Sequence, residues 1–291
     1  MIKWRGIGFR LHPLFVLIML ASIATGRFLE LAVLFFIVLI HELGHVASAI
    51  GFGWTIREVQ LLPFGGVVEV EEAGALPVRE EMWVAAAGPL QNAWLAAAGW
   101  LAGQAGWLDP EWSAFFVRSN LLLGLFNLLP ILPLDGGKLL QSWISLYWPF
   151  HRTLVWSAAV SLAFSAAVVA YAAAPVARGG ELQLNLLAIG VFLCYSNWMQ
   201  RRNIPYLFLR FLVHRARRSQ LRVDAGALAR PIVIAEFRPV TAALRLFMKE
   251  GYHLIYVMRQ GRVAKVLPET VVIEGAMSQM SSGHADFRYF M

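Results

Sequence analysis

Ile40-His41-Glu42-Leu43-Gly44-His45 is an HExxH sequence that lies inside a hydrophobic stretch long enough to cross a bilayer. Between Leu31 and Gly53, the only ionisable side chains are those of His41, Glu42 and His45. A charged group at this depth costs about 2.5–3.5 kcal/mol on insertion scales. The three side chains therefore need partners that offset this cost.

The spacing of the two histidines is the spacing of a metal site on a helix. His41 and His45 are four residues apart and share a helix face, so both imidazoles can reach one metal. Glu42 lies about 100° further round the helix, where it can touch a water at the metal rather than the metal itself. The pattern predicts a hydrolytic zinc site within a membrane. The alternative is an ordinary polar cluster between packed helices, although His and Glu are rare in apolar spans.

The composition is that of a polytopic membrane protein with a modest soluble part. Of the 291 residues, 58% are hydrophobic and 15% are charged, whereas soluble domains carry about 25% charged residues. Cys194 is the single cysteine, which excludes an intramolecular disulfide and a CxxC metal site. The formal net charge is +7, and the positions of the charges indicate membrane topology. We therefore expect no direct nucleic acid binding.

Charge-poor runs predict about six transmembrane helices. The runs cover residues 11–26, 31–53, 82–108, 112–134, 153–177 and 182–200. We interpret the first as a retained helix and not as a cleaved signal peptide. Basic residues alternate between the two sides of these runs, and the positive-inside rule then makes both termini cytoplasmic. The side richer in basic residues holds Lys3, Arg5, Arg10, Arg57, Arg79, Lys138, Arg152, Arg201 and Arg202, and the other side holds Arg27 and Arg178, with Arg118 near it.

The segment between the second and third runs predicts a β-hairpin. Two β-branched stretches, 56–61 and 67–71, flank the turn Pro63-Phe64-Gly65-Gly66. The hairpin is either a plain cytoplasmic connection or an exposed edge that pairs with an extended substrate. We favour the second, because a helical segment must unwind before a protease can cut it. The candidate substrate-binding residues here are Phe64, Gly65, Gly66, Val67 and Val68.

After residue 200 the character of the chain changes. Residues 201–222 form a basic connector, which either lies along the membrane surface or is a solvated linker. Residues 223–291 are predicted to be a small α/β unit, with a strand at 231–234, a helix at 239–250, a hairpin of 252–258 and 262–267, and a closing helix at 268–277. The predicted domains are therefore 1–200, 201–222 and 223–291.

Asp135 is the candidate third metal ligand, because a catalytic zinc takes three protein ligands and keeps one open position. It is the only carboxylate near the end of the fourth run. Prolines break the helix just before it, and Gly136 and Gly137 allow close approach of the backbone. The alternative is that the glycines form a simple turn and that Asp135 caps the next helix.

These motifs together resemble the site-2 protease family of intramembrane zinc metalloproteases. The resemblance rests on His41–His45 and Leu134-Asp135-Gly136, and the stretches 61–70, 87–91 and 127–138 are similar to the sporulation branch of that family. It covers the membrane part, residues 1 to about 200. The tail resembles a single cystathionine-β-synthase (CBS) domain much more weakly.

The resemblance implies a fold, an activity and site residues. It implies a six-span protease that removes the pro-segment of a membrane-associated sporulation sigma factor precursor, in the membrane that surrounds the forespore, on its mother-cell side. The family's Zn²⁺ ligands correspond to His41, His45 and Asp135, and its catalytic glutamate corresponds to Glu42.

One departure from the family pattern affects the substrate site. Many members have Asn-Pro-Asp-Gly where this chain has Pro133-Leu134-Asp135-Gly136, so the role of an adjacent asparagine does not carry over. Asn127 lies upstream, and it either assists the substrate or oxyanion or bonds within the helix bundle. Asn127 and Pro133 are therefore candidate substrate-binding residues.

Other partners and functions stay open at the level of sequence. Membrane inhibitor proteins are expected partners. The CBS-like tail either binds substrate, senses ATP or serves only in structural docking. CBS units usually act in pairs, so one copy per chain would require a homo-oligomer, and the usual Ser/Thr-x-x-Asp signature is not evident around Leu267–Thr270. The alternative substrates are an anti-sigma factor or remnant signal peptides. The alternative classes are a metal transporter and a non-proteolytic metal-binding membrane adaptor.

Overall fold

The computed structural model describes residues 2–4, 7–11, 26, 28–62, 65–70, 76–224, 226 and 228–279. Within them the protein is mainly helical and has one four-stranded and one three-stranded sheet. The chain divides into two compact units: one comprises residues 1–73 and 79–140, the other 74–78 and 141–291.

The sheet of the first unit contains the predicted hairpin. Its strands are β1 (Ile2–Trp4), β2 (Ile7–Leu11), β3 (Ile56–Leu62) and β4 (Gly65–Val70), in the order β1-β2-β3-β4. β3 and β4 are antiparallel, which confirms the hairpin, and β2 adds to β3 in parallel. Gly65 and Gly66 lie in β4 rather than in the turn, since they pair with Leu62 and Leu61.

The predicted first membrane helix, 11–26, falls largely outside the described residues. Leu11, its first residue, is the last residue of β2. Residues 12–25 are not among those that the structure describes.

Four helices carry the rest of the first unit, and the last of them continues into the second. They are α1 (Phe28–Gly51), α2 (Val78–Gln104), α3 (Pro110–Asn127) and α4 (Asp135–Ser145). The Asp109 side chain caps α3 by accepting a hydrogen bond from the Glu111 N–H, and Pro110 opens the helix. α3 ends before Pro130 and Pro133, so the predicted run 112–134 is only partly helical.

Small residues let α2 and α3 pack closely. Gly99 and Gly103 are four residues apart on α2, and the Ser113 hydroxyl of α3 donates to the Gly99 carbonyl at 3.0 Å. A Cβ at Gly103 would collide with the Ser113 side chain. This close approach is the small-residue packing found between membrane helices.

The second unit joins two long helices to an α/β domain. Its elements are α5 (Phe150–Ala173), a 3₁₀ turn (Val176–Arg178), α6 (Leu184–Asp224), β5 (Ala229–Ala235), α7 (Val240–Leu244), β6 (Tyr252–Arg259), β7 (Arg262–Pro268) and α8 (Glu269–Gln279). β5 and β6 are parallel, and β6 and β7 are antiparallel. A single buried core includes residues of α5, α6 and this domain, among them Phe150, Phe211, Phe247, Ile255 and Ile273.

The predicted linker 201–222 lies within a helix. α6 runs for 41 residues and ends at Asp224, so the boundaries predicted at 200 and 222 fall inside it. Phe211 and Leu212 are buried in the core of the second unit, and Arg215 is buried beside them. The packing of these side chains explains why this basic segment forms a helix rather than a solvated linker.

The helix predicted at 239–250 is much shorter in the structure. α7 ends at Leu244, and the backbone after it has other partners. The Phe247 carbonyl accepts from the Phe150 N–H at 2.9 Å, and Arg215 donates to the carbonyls of Met248 and Lys249. The Met248 N–H donates to Nε2 of His253 at 3.3 Å instead of to the Leu244 carbonyl four residues back, so the helix does not continue.

Two of the described helices, α1 and α5, are long and apolar enough to cross a membrane. Both are 24 residues long, which matches the roughly 20 residues needed for a span. They correspond to the second and fifth predicted runs. The total of six spans stays a prediction.

Candidate metal centre

α1 brings the two histidines of the HExxH sequence together. His41 and His45 are both buried on the same face of the helix, and their Nε2 atoms are 3.2 Å apart. Their rings stand nearly perpendicular, at 85°. This arrangement points two imidazole nitrogens at one place, as the four-residue spacing predicts.

Asp135 completes the cluster from the first position of α4. Its Oδ2 atom is 3.1 Å from Nε2 of His41 and 3.1 Å from Nε2 of His45. Its other oxygen, Oδ1, accepts from the Lys138 ammonium at 3.1 Å. One carboxylate oxygen therefore faces the imidazoles while the other is held by a cation.

The two glycines after Asp135 are required by close packing of backbone. A Cβ at Gly136 would collide with the Leu128 carbonyl group. A Cβ at Gly137 would lie 2.5 Å from both the Ile131 carbonyl carbon and the Leu132 nitrogen. Glycine thus lets the loop that precedes α4 fold against the start of that helix, as the sequence predicts.

The three ligand atoms fit a zinc ion. Bonds of about 2.0–2.1 Å in a tetrahedron place neighbouring ligand atoms about 3.3 Å apart. The distances among His41 Nε2, His45 Nε2 and Asp135 Oδ2 are 3.1–3.2 Å. Two imidazoles and one carboxylate also leave one of four positions open, which is the donor set of a catalytic zinc site.

The hydrogen bond of His45 also favours a cation at this point. Its Nδ1 lies 2.7 Å from the Val84 carbonyl, to which it donates. The neutral ring then has its lone pair on Nε2, and this lone pair faces the Asp135 oxygen at 3.1 Å. A metal ion between them removes the repulsion, and a backbone carbonyl that accepts from the other ring nitrogen is a usual way to orient a ligating histidine.

Gly88 leaves space beside the imidazoles. A Cβ on Gly88 would lie 2.7 Å from His41 Nε2 and 2.6 Å from His45 Cε1, and it would collide with His45 Nε2. The Gly88 backbone of α2 therefore borders the position that a metal would take. The sequence signal for this role is a Gly-Pro pair inside a helical run, since Pro89 lies within α2.

The candidate catalytic base and the tentative substrate residues lie on different elements. Glu42 is buried on α1, directly after His41. The residues Gly65, Gly66, Val67 and Val68 belong to β4, which contacts α1 and is an edge of the described sheet, whereas Phe64 lies outside the described residues.

Asn127 ends α3 and Pro133 lies in the loop before α4, and neither is one of the three clustered ligands. The Asn127 amide donates to the Leu123 carbonyl of its own helix at 3.1 Å. Pro133 is exposed in the loop before α4. Sequence reasoning did not single out Val84, Gly88 or Lys138 for their parts in the site.

Comparison with known proteins gives one consistent result. The model of peptidase family M50 matches residues 29–108 and 102–168. The chain is 34% identical to stage IV sporulation protein FB of Bacillus subtilis over 273 residues, which are 93% of this chain and 92% of that protein. It is 32% identical over 155 residues to zinc metalloprotease MJ0392 of Methanocaldococcus jannaschii, across 49% of this chain and 44% of that one.

A solved structure shares the fold. The site-2 protease from Methanocaldococcus jannaschii aligns with 69% of this chain and 94% of its own, with a TM-score of 0.55 and 24% sequence identity. With the zinc-type ligand cluster and a relative that is similar over nearly its whole length, the chain belongs to peptidase family M50, the zinc metalloproteases of the site-2 protease type.

Proposed function

We propose that this metalloprotease works within the membrane and removes the pro-segment of a membrane-associated sporulation sigma factor precursor. The buried triangle of His41, His45 and Asp135 carries the chemical part of the proposal. The similarity across 92% of a stage IV sporulation protein supports the substrate. α1, which holds both histidines, is long and apolar enough to span a bilayer and supports the membrane location.

The side chains divide the chemistry of peptide hydrolysis between them. His41, His45 and Asp135 hold the zinc, which when bound lowers the pKa of a water toward 7 and polarises the scissile carbonyl. Glu42 acts as the general base: it takes a proton from the attacking water and passes it to the leaving amine nitrogen. Burial of the cluster keeps other water away and strengthens these charge interactions.

The substrate is bound as an extended strand. β4 has β3 on one side only among the described strands, so its other edge offers backbone groups to a peptide. β4 contacts α1, the helix that carries the two histidines, and this contact supports a substrate site beside the metal centre. Gly65–Val68 then bind substrate through their backbone, while Asn127 and Pro133 are secondary candidates.

The cellular setting follows from the same proposal. The protein crosses the membrane several times with both termini in the cytoplasm of the mother cell, and membrane inhibitor proteins control it. The proposal also includes ATP binding by the CBS-like tail and a homo-oligomer that supplies the second CBS unit.

The test is cleavage of a membrane-tethered sigma factor precursor that is co-expressed with the protein. We expect chelator-sensitive removal of the pro-segment by the unchanged enzyme. Glu42→Gln should keep its zinc and lose cleavage by roughly 10²-fold or more, since it removes the base alone. Cleavage retained by Glu42→Gln would remove the assigned base. Cleavage of an anti-sigma factor or a signal peptide, but not of the precursor, would keep the enzyme and change the substrate.

A further inference from the structure

Asn92 on α2 is a buried amide without a partner among the described residues. Its side chain is 1% exposed, and neither Oδ1 nor Nδ2 has a hydrogen-bond partner among the residues that the structure describes. Buried polar side chains in native proteins are nearly always hydrogen-bonded, because an unpaired buried amide loses its water and gains nothing in return. An unpaired asparagine therefore destabilises the fold at this position, unless a partner hydrogen-bonds to it during function.

The position of Asn92 relates it to the metal centre. Asn92 follows Gly88 by four residues on α2, so the two share a helix face and differ by about 6 Å along the axis. Gly88 borders the Nε2 atoms of His41 and His45. Asn92 thus lies one helical turn from the glycine that borders the ligand cluster, on the same face of α2.

α3 leaves room for this amide. A Cβ on Gly124 would lie 3.3 Å from the Asn92 Cβ and 3.7 Å from its Nδ2 atom. The side chain therefore lies between α2 and α3, where glycine on the facing helix allows it to fit. This interior position is open to a peptide only if that peptide enters the bundle.

An extended peptide has the groups that an asparagine amide can pair. The amide offers one acceptor and two donors, and an extended residue presents one C=O and one N–H. Within a bundle, those backbone groups need protein partners because water is scarce. An extended chain advances about 3.3 Å per residue, so a 6 Å offset corresponds to about two residues.

We propose that Asn92 is a substrate-positioning residue that hydrogen-bonds the substrate backbone about two residues from the cleaved bond. This inference rests on the proposed function, because it requires an unwound peptide at the metal centre. It assigns to Asn92 a contact with the main chain rather than with a particular side chain. Asn92 therefore contributes to binding and alignment whatever the substrate sequence.

The first experiment compares Asn92→Leu with the unchanged enzyme, using purified full-length protein and a model peptide that the enzyme cleaves. We expect kcat/KM to fall by about tenfold to a hundredfold, with zinc content and thermal midpoint unchanged. Asn120→Leu is the matched control: Asn120 is also a buried asparagine whose Oδ1 has no partner among the described residues, but its Nδ2 donates to the Phe116 carbonyl of its own helix at 2.9 Å. We expect its kcat/KM to stay within about threefold.

The second experiment replaces single peptide bonds of the model substrate by esters, which removes one N–H at a time. Near the second residue from the cleaved bond, an ester should lower kcat/KM for the unchanged enzyme but cause little further loss in Asn92→Leu. The substrate series on the unchanged enzyme remains informative if the variant does not fold.

Equal kcat/KM for variant and unchanged enzyme, loss of zinc in the variant, or no ester effect at that position would each overturn the assignment. Failure of the proposed function would instead appear as no cleavage by the unchanged enzyme.

Discussion

The absence of a side chain at position 88 matters as much to the metal centre as the presence of its ligands. His41, His45 and Asp135 supply three atoms within 3.2 Å of one another. Gly88 of α2 faces the Nε2 atoms of both histidines, and because it has no Cβ it leaves room for a metal ion there. The site therefore depends on a glycine that makes no bond to the metal.

Gly88→Ala should abolish zinc binding while leaving the helices intact. The added methyl group would collide with His45 Nε2 and lie 2.7 Å from His41 Nε2, so the imidazoles must turn away. Zinc content of the purified protein should fall from one per chain toward none, and helical content by circular dichroism should not change.

The control for this prediction is Gly51→Ala at the end of α1. A Cβ at Gly51 meets nothing within 4 Å, and alanine favours a helix more than glycine does. Full zinc occupancy in Gly88→Ala would show that the space next to Gly88 is not where the metal binds.

The sequence identifies the ligands better than their surroundings. The four-residue spacing in α1 and the Asp135-Gly136-Gly137 stretch predict the residues that the structure brings together. The Val84 carbonyl acts through the backbone, which has no residue-type signal, and the only sequence signal for Gly88 is the Gly-Pro pair inside a helical run. Lys138 reaches Asp135 because α4 begins at Asp135, a boundary that the sequence alone does not determine.

At the scale of elements, a buried ion pair joins α6 to the C-terminal sheet and α8. Arg215 of α6 donates to Glu269 of α8 at 2.8 Å and also to the carbonyls of Met248, Lys249 and Gly251. Arg215 and Glu269 are 4% and 0% exposed. The pair therefore holds the end of the long helix against the domain that follows it.

Glu269→Gln should destabilise this unit strongly. It leaves the Arg215 charge buried without its counter-ion, and breaking one side of a buried pair costs about 3–5 kcal/mol. Hydrogen exchange of the β6 amides in the full-length protein measures the local free energy of unfolding.

The matched control is Glu236→Gln, which breaks the pair of Glu236 with the half-exposed Arg259 at 2.6 Å. Exposed pairs contribute about 1 kcal/mol or less. A loss no larger than that of the control would contradict a stabilising role for the buried pair.

The same cluster should make the C-terminal unit less stable in acid. Burial, and to a lesser extent the Arg215 charge, lower the pKa of His253 despite its hydrogen bond with Glu269. His253 is neutral when its Nδ1 donates to Glu269 and its Nε2 accepts from the Met248 N–H. The unfolded chain then binds a proton at a higher pH than the folded chain does, so stability falls as pH drops below about 6.5.

Glu269 adds to this effect at lower pH. Burial alone would raise its pKa, but the His253 hydrogen bond and the Arg215 charge lower it overall, so its contribution to stability is lost in stronger acid.

Exchange of the β6 amides, corrected for intrinsic rates, should show weaker protection at about pH 5.5 than at about pH 7.5. His253→Asn should reduce this difference, and an unchanged pH dependence in that variant would place the effect elsewhere.

Local patterns predict the elements that depend on local chemistry. The hairpin of β3 and β4, the strands β5 to β7 and the closing helix α8 all follow from alternation and turn residues. The parallel pairing of β2 with β3 joins segments more than 40 residues apart and has no local signal. The length of α6 and the early end of α7 are also set by tertiary contacts of Phe211, Arg215 and Phe247.

At the scale of the whole molecule, the metal centre is complete within one compact unit. The ligand-bearing segments of α1 and α4, and Gly88 and Val84 of α2, all belong to the unit formed by residues 1–73 and 79–140. The solved site-2 protease aligns with 69% of the chain. The ligand atoms that meet in this unit belong to side chains that the sequence separates by up to 94 positions.

X-ray absorption at the zinc edge of the purified protein, with zinc counted per chain, tests this claim most directly. We predict one zinc with two imidazole nitrogens and one carboxylate oxygen at about 2.0–2.2 Å. Asp135→Ala should lose the oxygen ligand and most of the zinc at limiting free metal. A protein that binds no zinc, or an Asp135→Ala variant with unchanged zinc affinity and an unchanged spectrum, would contradict the account.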